Sequence, residues 1–258
     1  MKKNFNGSII LAICISIFLF ACNGKDKTEE AVATTESPKT ETAAPSDNKA
    51  DMDAAKVAPD LYKVLKDTLG IRVVEVNYKP GDSSAMHWHP DYVVYALEGG
   101  TATFYAKDGT KMPSEMKKGM SMIRAGEFHS VKNTGSSAIK VILFEVNRPS
   151  QMNSIDAATD ATKVAPTVYK LKNDSLGIRV IEVTAKPGQS IAMHSHPDNA
   201  LYVIDPGTTE FTAKDGTKTV VELQKGMVVV GPAESHSAKN TGKKTLKVIL
   251  VEVNRPMK

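Results

Sequence analysis

The segment GDSSAMHWH, residues 81–89, occurs a second time as GQSIAMHSH, residues 188–196. The same offset of 107 residues extends outward from both copies without a gap, so that residues 56–149 align with residues 163–256. Of the 94 aligned positions, 54 are identical. A repeat of this length and fidelity indicates that a complete folding unit has been duplicated.

The repeat predicts two domains, residues 56–149 and residues 163–258, joined by a polar linker at residues 150–162. Each copy contains short, β-branched, alternating runs such as Ile71–Val76, separated by Pro-Gly and Asp-Gly turns and, in the first copy, by a Gly-Gly turn. No segment shows sustained helical periodicity with caps. We therefore expect an all-β protein in which each repeat forms a sandwich or a small barrel.

All six histidines belong to the repeat, and each has its counterpart at the 107-residue offset. They are His87, His89, His129, His194, His196 and His236. The first two of each copy are two residues apart, so on a strand both imidazoles point to the same face. Structural histidines would be scattered, whereas metal sites are built from such clusters. Three imidazoles leave coordination positions open, as a catalytic or ligand-binding site requires.

The spacing of these histidines and of nearby glycines resembles the cupin family. The first cupin motif is matched by Gly81, His87, His89 and Gly100, and by Gly188, His194, His196 and Gly207. The second motif is matched more loosely by Gly119, Gly126, His129 and Asn133, and by Gly226, Pro232, His236 and Asn240. The resemblance covers both repeats and implies two tandem barrels of the double-stranded β-helix, or jelly-roll, type.

The chain departs from the cupin pattern where the family places a metal-binding glutamate, because Val93 and Ala200 stand there. Three interpretations are open. The site is a three-histidine site, as in some cupin dioxygenases, or a nearby acid replaces the glutamate, or metal binding has been lost. Retention of all six histidines argues against loss, and we favour three histidines. The candidate acids are Glu127, Glu234, Asp91 and Asp198.

Three aromatic residues are candidates for lining the pocket. Phe128 adjoins the third histidine of the first copy, where it would narrow the pocket mouth. Tyr95 and Tyr202 are matched between the copies and share strand parity with the histidine pair. They are expected either to offer a phenol to a ligand or to fill the core.

The first 22 residues have the features of a bacterial lipoprotein signal peptide. A lysine-containing start precedes an apolar run, residues 9–20, that ends at a lipobox-like Leu-Phe-Ala-Cys with Cys22 as the lipidated residue. Residues 23–55 are polar and poor in large apolar side chains, which predicts a disordered tether. The protein is therefore expected in the cell envelope, lipid-anchored to the outer membrane or facing the periplasm.

The sequence predicts a divalent metal ion in each barrel, two per chain. Iron is favoured by the resemblance, and Mn, Cu, Ni or Zn remain open. Neutral imidazoles leave the charge of the metal uncompensated, so the expected partner is a small anionic ligand. The net charge of +4 is spread along the chain without a basic run, so no nucleic-acid partner is expected. The function is either metal-dependent dioxygenation of a small molecule or non-enzymatic binding of a metal or small molecule.

Overall fold

The computed structural model describes residues 48–257. The predicted signal peptide, the lipidated Cys22 and most of the predicted tether lie outside these residues. Within the described range, the two helices each span four residues, and no helix is long and apolar enough to cross a membrane.

Each repeat contains one short helix followed by nine strands. The first repeat comprises α1 (Ala54–Val57), β1 (Tyr62–Thr68), β2 (Ile71–Tyr78), β3 (Ser83–His89), β4 (Asp91–Glu98), β5 (Gly100–Tyr105), β6 (Lys111–Met116), β7 (Ser121–Arg124), β8 (Glu127–Asn133) and β9 (Ile139–Val146). The second comprises α2 (Ala161–Val164), β10 (Tyr169–Ser175), β11 (Ile178–Ala185), β12 (Ser190–His196), β13 (Asn199–Asp205), β14 (Gly207–Ala213), β15 (Lys218–Leu223), β16 (Val228–Gly231), β17 (Glu234–Asn240) and β18 (Leu246–Val253).

The strands of each repeat form two antiparallel sheets that face each other. In the first repeat the five-stranded sheet has the order β1-β2-β9-β4-β7, and the four-stranded sheet has the order β3-β8-β5-β6. The second repeat has the same two orders with the corresponding strands. An apolar interior lies between the sheets, to which Val76, Ala102, Val131 and Leu143 contribute in barrel 1, the first repeat. The prediction of an all-β chain with two tandem jelly-roll barrels is confirmed.

A separate apolar core lies between barrel 1 and the second repeat, which we call barrel 2. It is formed by the outer faces of the two five-stranded sheets, with Ile71, Val73 and Phe144 on one side and Ile178 and Val251 on the other, all fully buried. Strands such as β9 and β18 therefore bury both of their faces, one in their own barrel and one against the other barrel. Burial on both faces explains why these strands are apolar runs without alternation.

Two crossed ion pairs, which we call the arginine clasp, hold the barrels together. Arg148 pairs with Asp198 at 2.8 Å, and Arg255 pairs with Asp91 at 2.7 Å. The Nη1 of Arg148 also donates to the carbonyl oxygen of Arg255 at 2.9 Å. Both guanidinium groups are buried, so each needs its carboxylate partner to offset the cost of desolvation.

The arginine clasp shows that Asp91 and Asp198 were wrong as candidate metal ligands. Each also accepts a hydrogen bond from a backbone N–H, that of Gly126 or that of Ala233. The physical reason is that β3 ends at His89 and the following proline interrupts the strand. Side-chain parity is therefore not carried from the histidine pair into β4.

The first folded residues precede the predicted domain boundaries. Asp53, which was assigned to the tether, caps α1 by accepting a hydrogen bond from Ala55 N, and it pairs with Arg72 of β2. Trp88 N donates to the carbonyl oxygen of Met52, which attaches the segment to β3. Asp160 has the same capping role in the second repeat. Short polar residues such as Asp53 and Asp160 are typical of linkers in a sequence, but here they cap helices.

Candidate metal centres

Strand pairing brings three histidines together in each barrel. In barrel 1, β3 carries His87 and His89, and its neighbour β8 carries His129 directly opposite His87. In barrel 2, β12 and β17 place His194, His196 and His236 in the same arrangement. All six side chains are buried, and within each group the nearest ligand atoms lie within 4.8 Å of one another.

In the first histidine of each barrel, His87 or His194, a hydrogen bond determines which ring nitrogen is available to a metal ion. The Nδ1 of His87 lies 2.8 Å from the carbonyl oxygen of Ala85, to which it donates, and His194 makes the same contact with Ala192. Because Nδ1 is occupied, the Nε2 atoms are left to face the centre of the cluster. A buried set of neutral imidazole nitrogens is a donor set that divalent transition metals prefer, so these residues fit a metal ion.

The second histidine of each pair donates to a buried carboxylate. In barrel 1 the Nδ1 of His89 is 2.6 Å from Glu145 Oε1, and the other oxygen of Glu145 accepts from Arg72 at 2.5 Å. Arg72 in turn donates to Asp53 at 2.6 Å. This chain of contacts holds the orientation of the imidazole ring.

Barrel 2 repeats this chain. The Nδ1 of His196 is 2.7 Å from Glu252, which pairs with Arg179 at 3.1 Å, and Arg179 pairs with Asp160 at 3.1 Å. Glu145 and Glu252 are site residues that the sequence alone does not predict. The available signal was a glutamate at the same place in both copies, inside an otherwise apolar strand.

Glu127 lies on the Nδ1 side of His129, at 3.5 Å, and is not part of the three-histidine group. It accepts hydrogen bonds from the Tyr92 hydroxyl at 2.7 Å and from Nε and Nη2 of Arg124 at 2.9 and 2.8 Å. Burial raises the pKa of this carboxyl, but hydrogen bonds from His129, Arg124 and Tyr92 outweigh it and hold the pKa well below its usual range. Glu127 is therefore an anion that orients His129.

Glu234 is the counterpart of Glu127 in barrel 2 and is far more exposed. Its carboxylate lies 3.4 Å from His236 Nδ1, and its side chain is 57% exposed. The hydrogen bond from His236 lowers the pKa of Glu234 below its usual value. Like Glu127, it contacts the outer nitrogen of the third histidine.

The face of β4 that meets the histidines does not include Val93. Val93 is fully buried in the core between the barrels, as is Ala200 of β13, whereas Tyr92 and Val94 line the interior of barrel 1. A carboxylate at Val93 would therefore point away from the metal centre. The expectation that Val93 and Ala200 stand at the position of a metal ligand is therefore wrong, since both side chains lie in the core between the barrels.

None of the three candidate aromatic residues lies at a metal centre, and for Tyr95 and Tyr202 the alternative expectation, that they fill the core, is the one observed. Tyr95 and Tyr202 are on the same faces as Val93 and Ala200 and pack between the barrels. Phe128 packs against Trp88 in a tilted arrangement with ring centroids 4.7 Å apart, and the Nζ of Lys107 lies 3.7 Å from the ring centroid of Phe128. Because Phe128 and His129 are neighbours on one strand, their side chains point to opposite faces of the sheet.

Two other tyrosines, Tyr62 and Tyr169, lie at the metal centres, and the sequence alone does not predict them. The Tyr62 hydroxyl lies 3.1 Å from His87 Nε2, and the Tyr169 hydroxyl lies 2.9 Å from His194 Nε2. Both residues come from the first strand of their repeat and are matched at the 107-residue offset. That match was the only signal, since a lone tyrosine at a strand start usually fills the core.

Barrel 1 contains a cavity of about 250 Å³ next to its metal centre. His89 and His129 open onto it, and Arg124, Tyr92 and Ser114 supply other polar groups. The rest of the wall is mainly apolar and includes Val94, Phe104, Met112, Met116, Met122, Ile139 and Leu143. A cavity of this kind suits a small molecule with an apolar body and few polar groups.

Burial keeps the histidines in the form that binds metals. Desolvation, together with the charges of His89 and His129, lowers the pKa of His87 to about 3. Desolvation also lowers the pKa of His194 to about 4. Both imidazoles are therefore neutral at pH 7, as a metal ligand must be.

The fold and the two centres define a class, that of duplicated jelly-roll barrels with a three-histidine site in each barrel. Comparison with family models gives the family. A model described as Cupin matches residues 42–174, which is more than half of the chain, and a model described as Cupin domain matches residues 181–252. The chain belongs to the cupin family, and the prediction of two tandem cupin barrels is confirmed.

Solved structures share the two-barrel fold at low sequence identity. Oxalate decarboxylase from Bacillus subtilis is 16% identical with a TM-score of 0.52, and the alignment covers 73% of this chain and 70% of that one. AerE from Microcystis aeruginosa is 15% identical with a TM-score of 0.52, covering 75% and 97%. These likenesses show the fold alone. No curated protein sequence matches this chain.

Proposed function

We propose that the protein binds one divalent metal ion in each barrel and that barrel 1 holds a small anionic ligand with an apolar body at its metal centre. One observation carries the proposal. A buried cluster of histidines, whose Nδ1 atoms are held by neighbouring groups, opens directly onto an apolar cavity of about 250 Å³. His87, His89 and His129 would hold the ion of barrel 1.

The polar groups of the cavity support an anionic ligand. A divalent ion on neutral imidazoles keeps its positive charge, and Arg124 adds a second cation on the cavity wall. Glu127 engages Nε and Nη2 of Arg124, which fixes the direction of the guanidinium group. A carboxylate or a similar oxyanion would bind the ion and the Nη1 of Arg124, the guanidinium nitrogen that Glu127 does not engage, with its apolar part against Phe104 and the methionines.

Oxygen-dependent oxidation of this ligand is the reaction class we favour. When bound, a redox-active ion such as iron would supply oxygen activation, while the chain itself supplies the three neutral donors and a mainly apolar cavity beside them. Manganese is the next candidate, because the oxalate decarboxylase with the same fold is described with Mn(II) centres. The competing function is non-enzymatic binding of the metal or of the ligand.

Elemental analysis of the purified full chain, together with matched variants, tests the metal sites. The wild-type protein should contain about two divalent ions, and His87→Ala with His89→Ala should contain one. The matched pair in barrel 2, His194→Ala with His196→Ala, should also contain one. Full occupancy in either double variant would contradict the proposal.

Oxygen uptake separates the enzyme from the binding protein. We would measure it with the metal-loaded chain and a panel of aliphatic and aromatic carboxylates. Uptake that requires the barrel 1 histidines supports the oxidation. A carboxylate that binds in barrel 1 without oxygen uptake supports non-enzymatic binding, and the absence of any binding would exclude the ligand proposal.

We also propose that the protein is a lipoprotein of the cell envelope, anchored through Cys22 and facing the periplasm or the outer membrane. The proposal rests on the lipobox-like residues at the end of the apolar run. Cys22→Ser should move the protein from the membrane fraction to the soluble envelope fraction. A variant that stays with the membrane would show that another segment anchors it.

A further inference from the structure

Each metal centre contains a tyrosine oxygen at the distance of a neighbouring ligand. The hydroxyl oxygens of Tyr62 and Tyr169 lie 3.1 and 2.9 Å from the Nε2 atoms of His87 and His194. Each tyrosine ring packs against both histidines of the pair, with centroid distances of 5.1 and 5.7 Å in barrel 1. The corresponding distances in barrel 2 are 5.0 and 5.5 Å. The arrangement is therefore a shared feature of the two repeats.

The separation between these atoms matches the edge of a coordination polyhedron. Imidazole nitrogens and oxygen ligands bind first-row divalent metals at about 2.1 Å, so two ligands at right angles around the ion lie about 3.0 Å apart. The observed oxygen-to-Nε2 distances of 3.1 and 2.9 Å bracket this value. The distances are those of a hydrogen bond in the metal-free protein, and they would also allow an ion bound to Nε2 to bind the phenol oxygen.

We propose that Tyr62 and Tyr169 supply the fourth protein ligand of each centre, a phenolate oxygen that takes the place of the glutamate usual in the family. The inference rests on the proposed metal binding. In the binding step the phenol O–H bond breaks, an oxygen-to-metal bond forms, and the proton leaves to solvent. The oxidation state of the metal does not change.

The surroundings of Tyr169 favour this role over that of a packing residue. Among residues 48–257, its hydroxyl has a single hydrogen-bond partner, the Nε2 atom that a metal would occupy. If the ion took Nε2 and the phenol did not coordinate, a buried hydroxyl would lose its partner, which is costly. Coordination removes this cost and reduces the charge of a divalent centre from +2 to +1.

Tyr62 has a second polar neighbour that its counterpart lacks. Its oxygen lies 2.8 Å from the hydroxyl of Tyr78, which donates to Ser84 at 2.7 Å. Ala185 and Ile191 stand at the corresponding positions of barrel 2. We therefore expect coordination in both barrels, with different spectral properties because only the oxygen of Tyr62 has a hydroxyl beside it.

Copper provides a spectroscopic test, because a phenolate bound to Cu(II) gives a visible charge-transfer absorption and imidazole suits Cu(II) well. The full chain would be loaded with Cu(II), its copper content measured, and its absorption and resonance Raman spectra recorded. The wild-type protein should show tyrosinate ring modes on excitation in the visible band. Their absence from a protein with two bound Cu(II) ions would overturn the inference without any variant.

Phenylalanine variants assign the band to individual residues. Tyr62→Phe and Tyr169→Phe should each remove one component of the absorption and weaken Cu(II) binding in that barrel by about ten-fold or more. The double variant should lose the band completely. Tyr95→Phe is the matched control, since this buried tyrosine lies between the barrels and should leave the spectrum unchanged.

The outcomes separate this inference from the proposed function. If the double variant keeps both the band and its Cu(II) affinity, the tyrosines are not ligands, although the metal sites stand. If the wild-type protein binds no Cu(II) and contains no other divalent ion, both proposals fail. If copper binds and only Tyr169→Phe changes the band, the assignment of Tyr62 is wrong.

Discussion

Barrel 1 and barrel 2 hold their histidines in the same way but surround them differently. The residues that orient the imidazoles are identical in the two copies, down to the carboxylate, the arginine and the capping aspartate behind the second histidine. The residues around the cavity differ. Tyr92, Arg124 and Tyr78 of barrel 1 are replaced by Asn199, Gly231 and Ala185 in barrel 2.

The location of these differences indicates what each barrel does. After the duplication, the groups that hold a metal stayed the same, and the groups that would touch a ligand changed. Barrel 1 acquired or kept an apolar cavity with an arginine at its wall. In barrel 2, the pocket next to His196 is a shallow one lined by Lys214, Glu234 and Ser235. We infer that ligand binding is specialised in barrel 1 and that both barrels retain the metal site.

The arginine clasp should contribute equally to the two barrels, and removing either arginine should cause the largest loss of stability. Arg148→Ala or Arg255→Ala leaves a carboxylate unpaired at the interface and removes bonds to carbonyl oxygens. Breaking a buried pair on one side costs about 3–5 kcal/mol. Urea unfolding should give similar losses for both variants. A loss confined to one of them would show that the barrels depend on the clasp unequally.

The glutamate behind the second histidine gives the next largest effect. Glu145→Gln and Glu252→Gln remove the anion that accepts the Nδ1–H of His89 or His196. Metal affinity in the altered barrel should fall about 10–100-fold, as for other groups that orient a ligand. Stability should fall more for Glu252→Gln, because Arg179 is less exposed than Arg72, 5% against 20%. Metal titration and urea unfolding of both variants measure the two effects, and unchanged affinity would contradict the role.

Much of this architecture could be predicted from the sequence because the two copies of the repeat can be aligned with each other. The 107-residue offset identified the barrels, and the matched histidines identified residues that the strands bring together. The prediction failed where strand parity was carried across Pro90. That error placed Asp91 and Tyr95 near the metal centre, although Asp91 pairs with Arg255 and Tyr95 packs between the barrels. The spacing of the cupin motif placed Val93 there, although it also faces the other barrel.

Contacts between distant strands account for the residues that were missed. Nothing near Tyr62 in the sequence indicates that β1 begins beside His87, 25 residues later. Likewise, Glu145 reaches His89 across a separation of 56 residues. Such contacts depend on the strand order in the sheets, which residue periodicity does not specify. The two faces of β9 could be assigned only after the second barrel was seen to cover one of them.

The metal-free protein should become less stable as the pH falls below about 6.5. The pKa of His87 is about 3 and that of His194 about 4 in the folded state, against about 6.5 in the unfolded chain. The unfolded state therefore takes up protons first, and stability is lost as the pH falls from 6.5 towards these values. Each histidine contributes roughly 1.4 kcal/mol per pH unit within its window.

Urea unfolding of the chelated protein between pH 7 and pH 5 tests this dependence. His87→Gln and His194→Gln should each make the pH dependence shallower, by similar amounts, since both windows cover the part of this range below about pH 6.5. His129 contributes in the same direction, because burial also lowers its pKa. Stability that increases as the pH falls would contradict the sign.

The smallest expected effect concerns Trp88 and Phe128, which lie on the outer face of the four-stranded sheet of barrel 1. The rings of Trp88 and Phe128 contact each other at a tilt with centroids 4.7 Å apart, where barrel 2 has a hydrogen bond between Ser195 and Ser235. An aromatic pair is worth about 0.5–1.5 kcal/mol beyond its buried area. A double-mutant cycle with Trp88→Ala and Phe128→Ala should give a coupling energy in this range. Metal affinity should change little in either variant, because both rings lie on the face of the sheet opposite to the histidines. A ten-fold change in metal affinity would show that this aromatic pair, which barrel 2 lacks, also affects metal binding.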